Sequence, residues 1–184
     1  LERLVESSGS RAALYARLES HPSMGSRLVA VLSRSQFLAD ILVRNPEYLS
    51  WLLEEAETIR NALTRNELRR LIKQSVRSGM GREELLDALR RTQRRELLRI
   101  GAGEILDAKP VAKTCTELSH LADAVLERVC SEAIKDLGNR FGKPLGPEGK
   151  PAHFSIICLG KQGGQELNFS SDIDLLFAYD EDGH

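Results

Sequence analysis

Apolar residues recur at three- and four-residue spacing through most of the chain, then give way near its end to two short, nearly unbroken apolar runs. The first pattern predicts helices and the second predicts strands. Leu4, Leu14 and Leu18, with Ala12 and Ala13, predict a first helix that ends before His21-Pro22-Ser23. Leu28, Val31, Leu32, Phe37, Leu38, Ile41 and Leu42 form the inner stripe of a second, from about Ser26 to Val43. Asn45-Pro46 predicts the start of a third, with Trp51, Leu52 and Leu53 toward the core. Thr64-x-x-Glu67 has capping-box spacing and opens a fourth, which the Ser78-Gly79-Met80-Gly81 turn ends. A fifth runs from Arg82 to about Asp107. Thr114-x-x-Glu117 opens a sixth, with Leu118, Leu121, Val125, Val129, Ile134 and Leu137 on one face until Gly138.

Between Gly138 and Pro151 stand four glycines and three prolines, a density of breakers that predicts a flexible connection. The expected organisation is a helical region over 1–137, a connection over 138–152 and a strand–glycine turn–strand unit over 153–184. The fold class is α+β, mostly α.

The closing unit carries the chemistry. His153 to Leu159 predicts a buried strand ending at Gly160, and Ile173 to Tyr179 predicts a second. Gly163 and Gly164 lack a Cβ, so positive φ and close approach of a phosphate to backbone N–H groups are expected there. Asp172 and Asp174, two apart at the start of a strand, are expected to share a face, roughly 6.5–7 Å apart along the chain. Two such carboxylates repel each other unless a cation or basic partner sits between them. Hard oxygen ligands suit Mg²⁺ or Mn²⁺, which would clamp the oxygens of an in-line displacement at phosphorus. Either half of this pattern alone matches an ordinary tight turn or a solvated strand end. Together they form the layout of a metal-dependent nucleotidyltransfer site.

Charge and cysteine content narrow the setting. Lys and Arg total 26 against 27 Asp and Glu, a formal charge of −1, so no global basic field argues for nucleic acid. Cys115, Cys130 and Cys158 are odd in number and far apart, which argues against a zinc site or disulfide scaffold and for a reducing cytosol. No apolar run approaches a membrane span, and Leu1-Glu2-Arg3-Leu4 is no signal peptide, so a cytoplasmic chain is expected. Arg90, Arg91, Arg94, Arg95 and Arg99 fall on one helix, and Arg91, Arg94 and Arg95 share a face. An anion or partner site is one reading, but Glu83, Glu84 and Asp87 one turn earlier, with Asp87 four residues before Arg91, favour ion pairs on a solvated surface. The four histidines show no ligand spacing, and the few aromatic residues occupy core-like positions.

The run from Gly160 to Leu175, Gly-Lys-Gln-Gly-Gly-Gln-Glu-Leu-Asn-Phe-Ser-Ser-Asp-Ile-Asp-Leu, resembles the motif of the bacterial glutamine synthetase adenylyltransferase/adenylyl-removing enzymes, of the DNA polymerase β-like nucleotidyltransferase superfamily. Three upstream segments agree: Ser33 to Asp40 with Asn45-Pro46-Glu47, Arg95 to Ile100, and Thr116 to Ala124. The resemblance covers nearly the whole chain and implies the opening of a nucleotidyltransferase fold. It implies Asp172 and Asp174 as catalytic metal ligands for Mg²⁺ or Mn²⁺. Gly163, Gly164, Ser170 and Ser171 would place phosphates, with ADP or ATP as product or substrate.

The Glu-Leu-Asn-Phe-Ser-Ser-Asp-Ile-Asp form resembles the N-terminal, adenylyl-removing half of these bifunctional proteins. The implied activity is phosphorolysis of adenylyl-tyrosine on glutamine synthetase, in the regulation of nitrogen assimilation. The alternatives are the adenylylating half, which uses ATP, and a helical docking module for glutamine synthetase or a PII-type regulator. Gln162 stands where the family pattern has leucine and Gln165 where it has arginine, departures expected to bear on substrate contacts. The superfamily draws a third carboxylate from a later strand. The chain stops at His184, so a truncated, weakly active or inactive piece is expected.

Overall fold

The computed structural model describes all residues except 1, 8–9, 21, 55–58, 60, 78, 147–148 and 182–184. Eight helices precede the sheet among the described residues. They are α1 (Glu2–Ser7), α2 (Arg11–Ser20), α3 (Pro22–Arg34), α4 (Gln36–Arg44), α5 (Glu47–Glu54), α6 (Arg65–Ser75), α7 (Arg82–Asp107) and α8 (Val111–Phe141). Strand β1 (Phe154–Cys158), the helical turn α9 (Gly160–Gly163) and strand β2 (Leu175–Tyr179) follow. The chain is 70% helical with one small sheet, an α+β architecture that is mostly α.

Two predicted helices are each divided. The first becomes α1 and α2, and Ser10 Oγ accepts the Ala13 N–H at the entry to the second. The helix predicted over Ser26–Val43 breaks at Ser35, whose extended backbone (φ −143°) and side chain cap α4 by accepting from Leu38 N–H. A serine surrounded by helix formers gives no warning of this, because its capping competence is realised only when packing turns the chain. Asn45 closes α4 instead of opening α5: its N–H and its Nδ2 both donate to Ile41 O. Leu52 is buried as predicted, and Trp51 packs at the edge of the core. The side chain of Leu53 lies outside the described residues.

The capping box at Thr64 is present, with Glu67 N–H donating to Thr64 Oγ1 and Thr64 N–H donating to Glu67. The box predicted at Thr114 is not. Helix α8 begins at Val111 after Pro110, so Thr114 and Glu117 lie inside it, both buried. The helix also passes through Gly138 and ends only at Gly142 (φ +87°). Its apolar stripe is buried as far as Ala124; Val129, Ile134 and Leu137 are exposed.

Two apolar clusters form the core. One gathers α1–α5 with Leu98 and Ala102 of α7, and the other gathers α6, α8 and Leu85, Leu89 and Ile100 of α7. Leu97 packs against both, so α7 is the shared wall. Leu167, from the glycine-turn segment, is buried in the second cluster with Phe169 against it.

What joins the helices most tightly is polar. Arg99, fully buried, donates to Glu96 (2.7 Å), to Asn61 O (3.0 Å) and to Glu117 (2.5 Å). Glu117 also accepts from Lys109 Nζ (2.7 Å) and from Leu63 N–H (2.8 Å). One buried carboxylate therefore ties α8 to α7 and to both ends of the 61–109 stretch. Burial pushes its pKa up, but the Arg99 charge and the hydrogen bonds from Lys109, Leu63 and Arg99 outweigh that, and the net shift is downward.

The sheet is a two-stranded antiparallel pair, with Phe154 opposite Tyr179 and Cys158 opposite Leu175. The strands are shorter than predicted and β1 is not buried: Phe154 and Ile157 are nearly half exposed, and Leu176, Phe177 and Tyr179 on β2 are more than half exposed. A groove of about 560 Å³ separates β1 from α8, lined by Ile134, Phe154, Ile156 and Cys158 among others. Several aromatic residues thus sit outside the core positions predicted for them. Phe154 and Phe177 stack across the strands at 5.9 Å. The connection before the sheet is more ordered than its breakers imply, with a Leu145–Pro151 bridge and a hydrogen bond from Gly146 N–H to Lys150 O. Among the described residues, no helix is long and apolar enough to cross a membrane.

Candidate active site

The segment between the strands folds back on itself and then onto α8. Gly163 N–H donates to Leu159 O and Gly164 N–H to Gly160 O, which makes α9 a single helical turn directly after β1. The expected positive φ is not at Gly163 or Gly164: Gly164 is right-handed (φ −81°), and the left-handed positions are Gly160 (+55°) and Gln165 (+58°). Glycine is needed at 163 for another reason. A Cβ there would lie 2.5 Å from Cys158 O, a backbone atom that cannot turn aside. At Gly164 the nearest atom to such a Cβ is 3.6 Å away, an ordinary contact. Gly163→Ala is therefore expected to lower stability by about 1–3 kcal/mol through overpacking, while Gly164→Ala is nearly neutral; paired thermal melts check the contrast.

Asp172 and Asp174 are not the first residues of β2 but precede it, both exposed. The ladder nonetheless reaches Asp174, whose carbonyl accepts the Leu159 N–H at 2.9 Å. That bond brings the two ends of the segment together. Asp174 Oδ2 sits 3.1 Å from where a Gly160 side chain would begin, so Gly160 is bare where the carboxylate approaches. The sequence reading missed Gly160. Its signal was a glycine at the junction of a strand and a turn, where positive φ is common.

Ser170 and Ser171 are placed by Asn168. Its Oδ1 accepts from Ser170 N–H (3.0 Å) and Ser171 Oγ (2.8 Å), a side-chain turn typical of asparagine. Lys161 Nζ donates to Ser171 Oγ at 3.4 Å, which links the turn after β1 to the approach to β2. Gly160, Lys161, Ser171 and Asp174 therefore lie together, and Asn168 and Lys161 are additional members of the site.

Neither aspartate takes a side-chain hydrogen bond or an ion pair among the described residues, so no basic partner offsets their repulsion. Both are exposed hard-oxygen donors, the ligand type that Mg²⁺ and Mn²⁺ take in general. No group of three or more His, Cys, Asp or Glu side chains is placed to hold a metal among the described residues. His153 instead hydrogen-bonds Asp180 at 2.7 Å at the far end of the sheet, and this contact lowers the Asp180 pKa.

Gln162 and Gln165 face the helices. Gln162 is buried and donates to Ser119 O (3.0 Å) and Asp123 Oδ1 (2.6 Å), and Gln165 accepts from Arg65 (3.3 Å). Leu167 N–H donates to Ser119 Oγ (3.2 Å). Phe169 meets Phe37 with ring centroids 5.9 Å apart. The amide nitrogen of Gln162 is thus engaged by α8, while its Oε1 is buried without a hydrogen-bond partner among the described residues.

The fold and site together define a mostly helical α+β protein that holds a pair of unpartnered carboxylates beside a glycine turn. The profile of the glutamate-ammonia ligase adenylyltransferase family matches residues 25–184, and the chain belongs to that family. Similar curated proteins are bifunctional glutamine synthetase adenylyltransferase/adenylyl-removing enzymes. The one from Thioalkalivibrio sulfidiphilus is 34% identical over all of this chain and 19% of its own length. That from Pseudomonas putida is 35% identical over 83% of the chain and 16% of its own length. A third, from Pasteurella multocida, is 32% identical over 97% of the chain and 18% of its own length. The chain thus spans less than a fifth of these relatives.

Proposed function

We propose that this chain contributes to a nucleotidyltransfer site that removes AMP from adenylylated glutamine synthetase by phosphorolysis, yielding tyrosine and ADP. The observation that carries the reading is the exposed, unpartnered pair Asp172 and Asp174, the second of them set against the bare backbone of Gly160. Membership in a family whose relatives are named for both adenylylation and adenylyl removal supports the substrate. The direction rests on the Asn168-Phe169-Ser170-Ser171 form.

Asp172 and Asp174 would hold Mg²⁺ or Mn²⁺, which would neutralise charge on phosphate oxygens and on the departing phenolate. Gly163, Gly164, Ser170 and Ser171 would place the phosphates. The Gly163 and Gly164 N–H groups are engaged within the turn, Gly163 lets that turn pack against Cys158 O, and the serines offer the hydroxyls. Lys161 adds a positive charge beside Ser171. A phenolate leaving group, with a conjugate-acid pKa near 10, needs charge stabilisation more than a strong base. Glutamine synthetase is the proposed protein partner and a PII-type protein the proposed regulator. A reducing cytoplasm is in keeping with the three unpaired cysteines.

The test uses a protein of the relatives' full length that contains these residues, in which the other catalytic half has been inactivated. Given adenylylated glutamine synthetase and phosphate, it is expected to release ADP. Transfer of AMP from ATP onto tyrosine, without ADP release from the modified protein, would assign these residues to the opposite direction.

A further inference from the structure

The arginines of α7 form only part of the ion-paired face that their spacing predicts, with pairs at Arg90 and Arg95. Asp87 pairs with Arg90 at 3.0 Å, not with Arg91. Arg91 and Arg95, one turn apart, instead line one side of an open cleft of about 700 Å³ between α6 and α7, and Arg70 and Arg77 contribute from the α6 side. The carboxylate that lines this cleft is Glu67, which is already engaged by Thr64 in the capping box. Among the described residues, the side chains of Arg70, Arg77 and Arg91 make no hydrogen bond or ion pair. Arg95 lies over the Trp51 ring at 5.6 Å, and its Nε is buried without a hydrogen-bond partner, 3.6 Å from Glu96. Four arginines thus line one cleft to which Glu67 contributes the carboxylate, a local excess of positive charge that an anion would offset.

We propose that this cleft binds a small phosphorylated molecule carrying two or more negative charges. Its volume falls in the range of small-ligand sites, about 300–1,000 Å³. Guanidinium forks match the geometry of phosphate oxygens. Leu71 and Met80 line the same cleft and give an apolar surface for the uncharged part of such a ligand. None of the lining residues belongs to the 159–174 segment, so the cleft is separate from the carboxylate pair.

Trp51 is the single tryptophan of the chain and reports on Arg95 directly. Pyrophosphate and ATP are titrated into the 184-residue chain at constant ionic strength with a chelator present, which silences divalent-cation binding at Asp172 and Asp174. The expected result is a saturable change in Trp51 fluorescence, confirmed by calorimetry. Arg77→Ala and Arg91→Ala should each weaken it roughly tenfold, the loss of a charge-assisted hydrogen bond. Arg90→Ala, which removes an exposed arginine already paired with Asp87, and Asp174→Asn should leave it unchanged. Unaltered melting temperatures show that the variants fold. The proposal is overturned by absence of saturable binding, by equal weakening in Arg90→Ala, or by insensitivity to both cleft variants. It is equally overturned if an acidic peptide saturates the signal and the phosphates do not.

Discussion

Glu117→Gln is expected to lower the unfolding free energy by about 3–5 kcal/mol, because it leaves Arg99 and Lys109 buried without their shared counter-charge. Urea denaturation of the variant and the parent measures this, and a loss below about 1 kcal/mol would show the network to be effectively solvated. The same carboxylate predicts a pH signature. Its pKa in the folded protein lies below the ordinary 4.5, so the unfolded chain binds a proton more readily. Its stabilisation is then complete above the ordinary carboxylate range and lost as pH falls through the lowered folded value. As pH falls from the ordinary carboxylate range through the lowered folded value, the parent should lose stability more steeply than Glu117→Gln, and the two curves should converge in acid.

Asp174→Asn is expected to reduce metal-dependent ADP release by at least about a hundredfold in the full-length setting, with the fold intact. Loss of a group merely supporting a metal ligand costs about 10–100-fold, and a direct ligand should cost no less. Asparagine keeps the shape beside Gly160 but gives up the charge. Near-parental rates at saturating Mn²⁺ would remove Asp174 from the site. A parallel melt separates the chemical loss from any structural one.

Local patterns were legible where local interactions decide the outcome. Thr64-x-x-Glu67 and Thr114-x-x-Glu117 have the same spacing, yet only the first is a capping box. The second tetrad is inside a helix because Arg99 and Lys109, distant along the chain, claim Glu117. Nothing within four residues of Glu117 announces that. Helix α7 was legible end to end, since a glycine turn precedes it and Pro110 follows shortly after its last residue. The division at Ser35 was not, because no glycine or proline marks it. The apolar runs of the sheet were recognisable as strands, but apolar character says only that a strand prefers cover, and β1 stands off α8 across a groove. At the site, both aspartates and the glycine turn stood out by type and spacing. Which glycine meets the carboxylate depends on how the ladder closes at Leu159 and Asp174, and that is a property of the pairing.

Ser119 touches the segment between the strands twice, accepting from Gln162 through its carbonyl and from Leu167 through its hydroxyl, while that hydroxyl donates to Cys115 O. The segment thereby takes part of its position from one point on a 31-residue helix, and what matters at that point is angular phase. An insertion of one residue upstream of Ser119 within α8 would swing it about 100° around the axis and carry it only about 1.5 Å along. The docking would be lost although the distance hardly changed. An insertion beyond Arg128, where Val129, Ile134 and Leu137 are exposed, would leave the phase of Ser119 unchanged. The proximal half of this helix, which reads as plain scaffold, therefore sets the rotational register of the segment that carries the carboxylates.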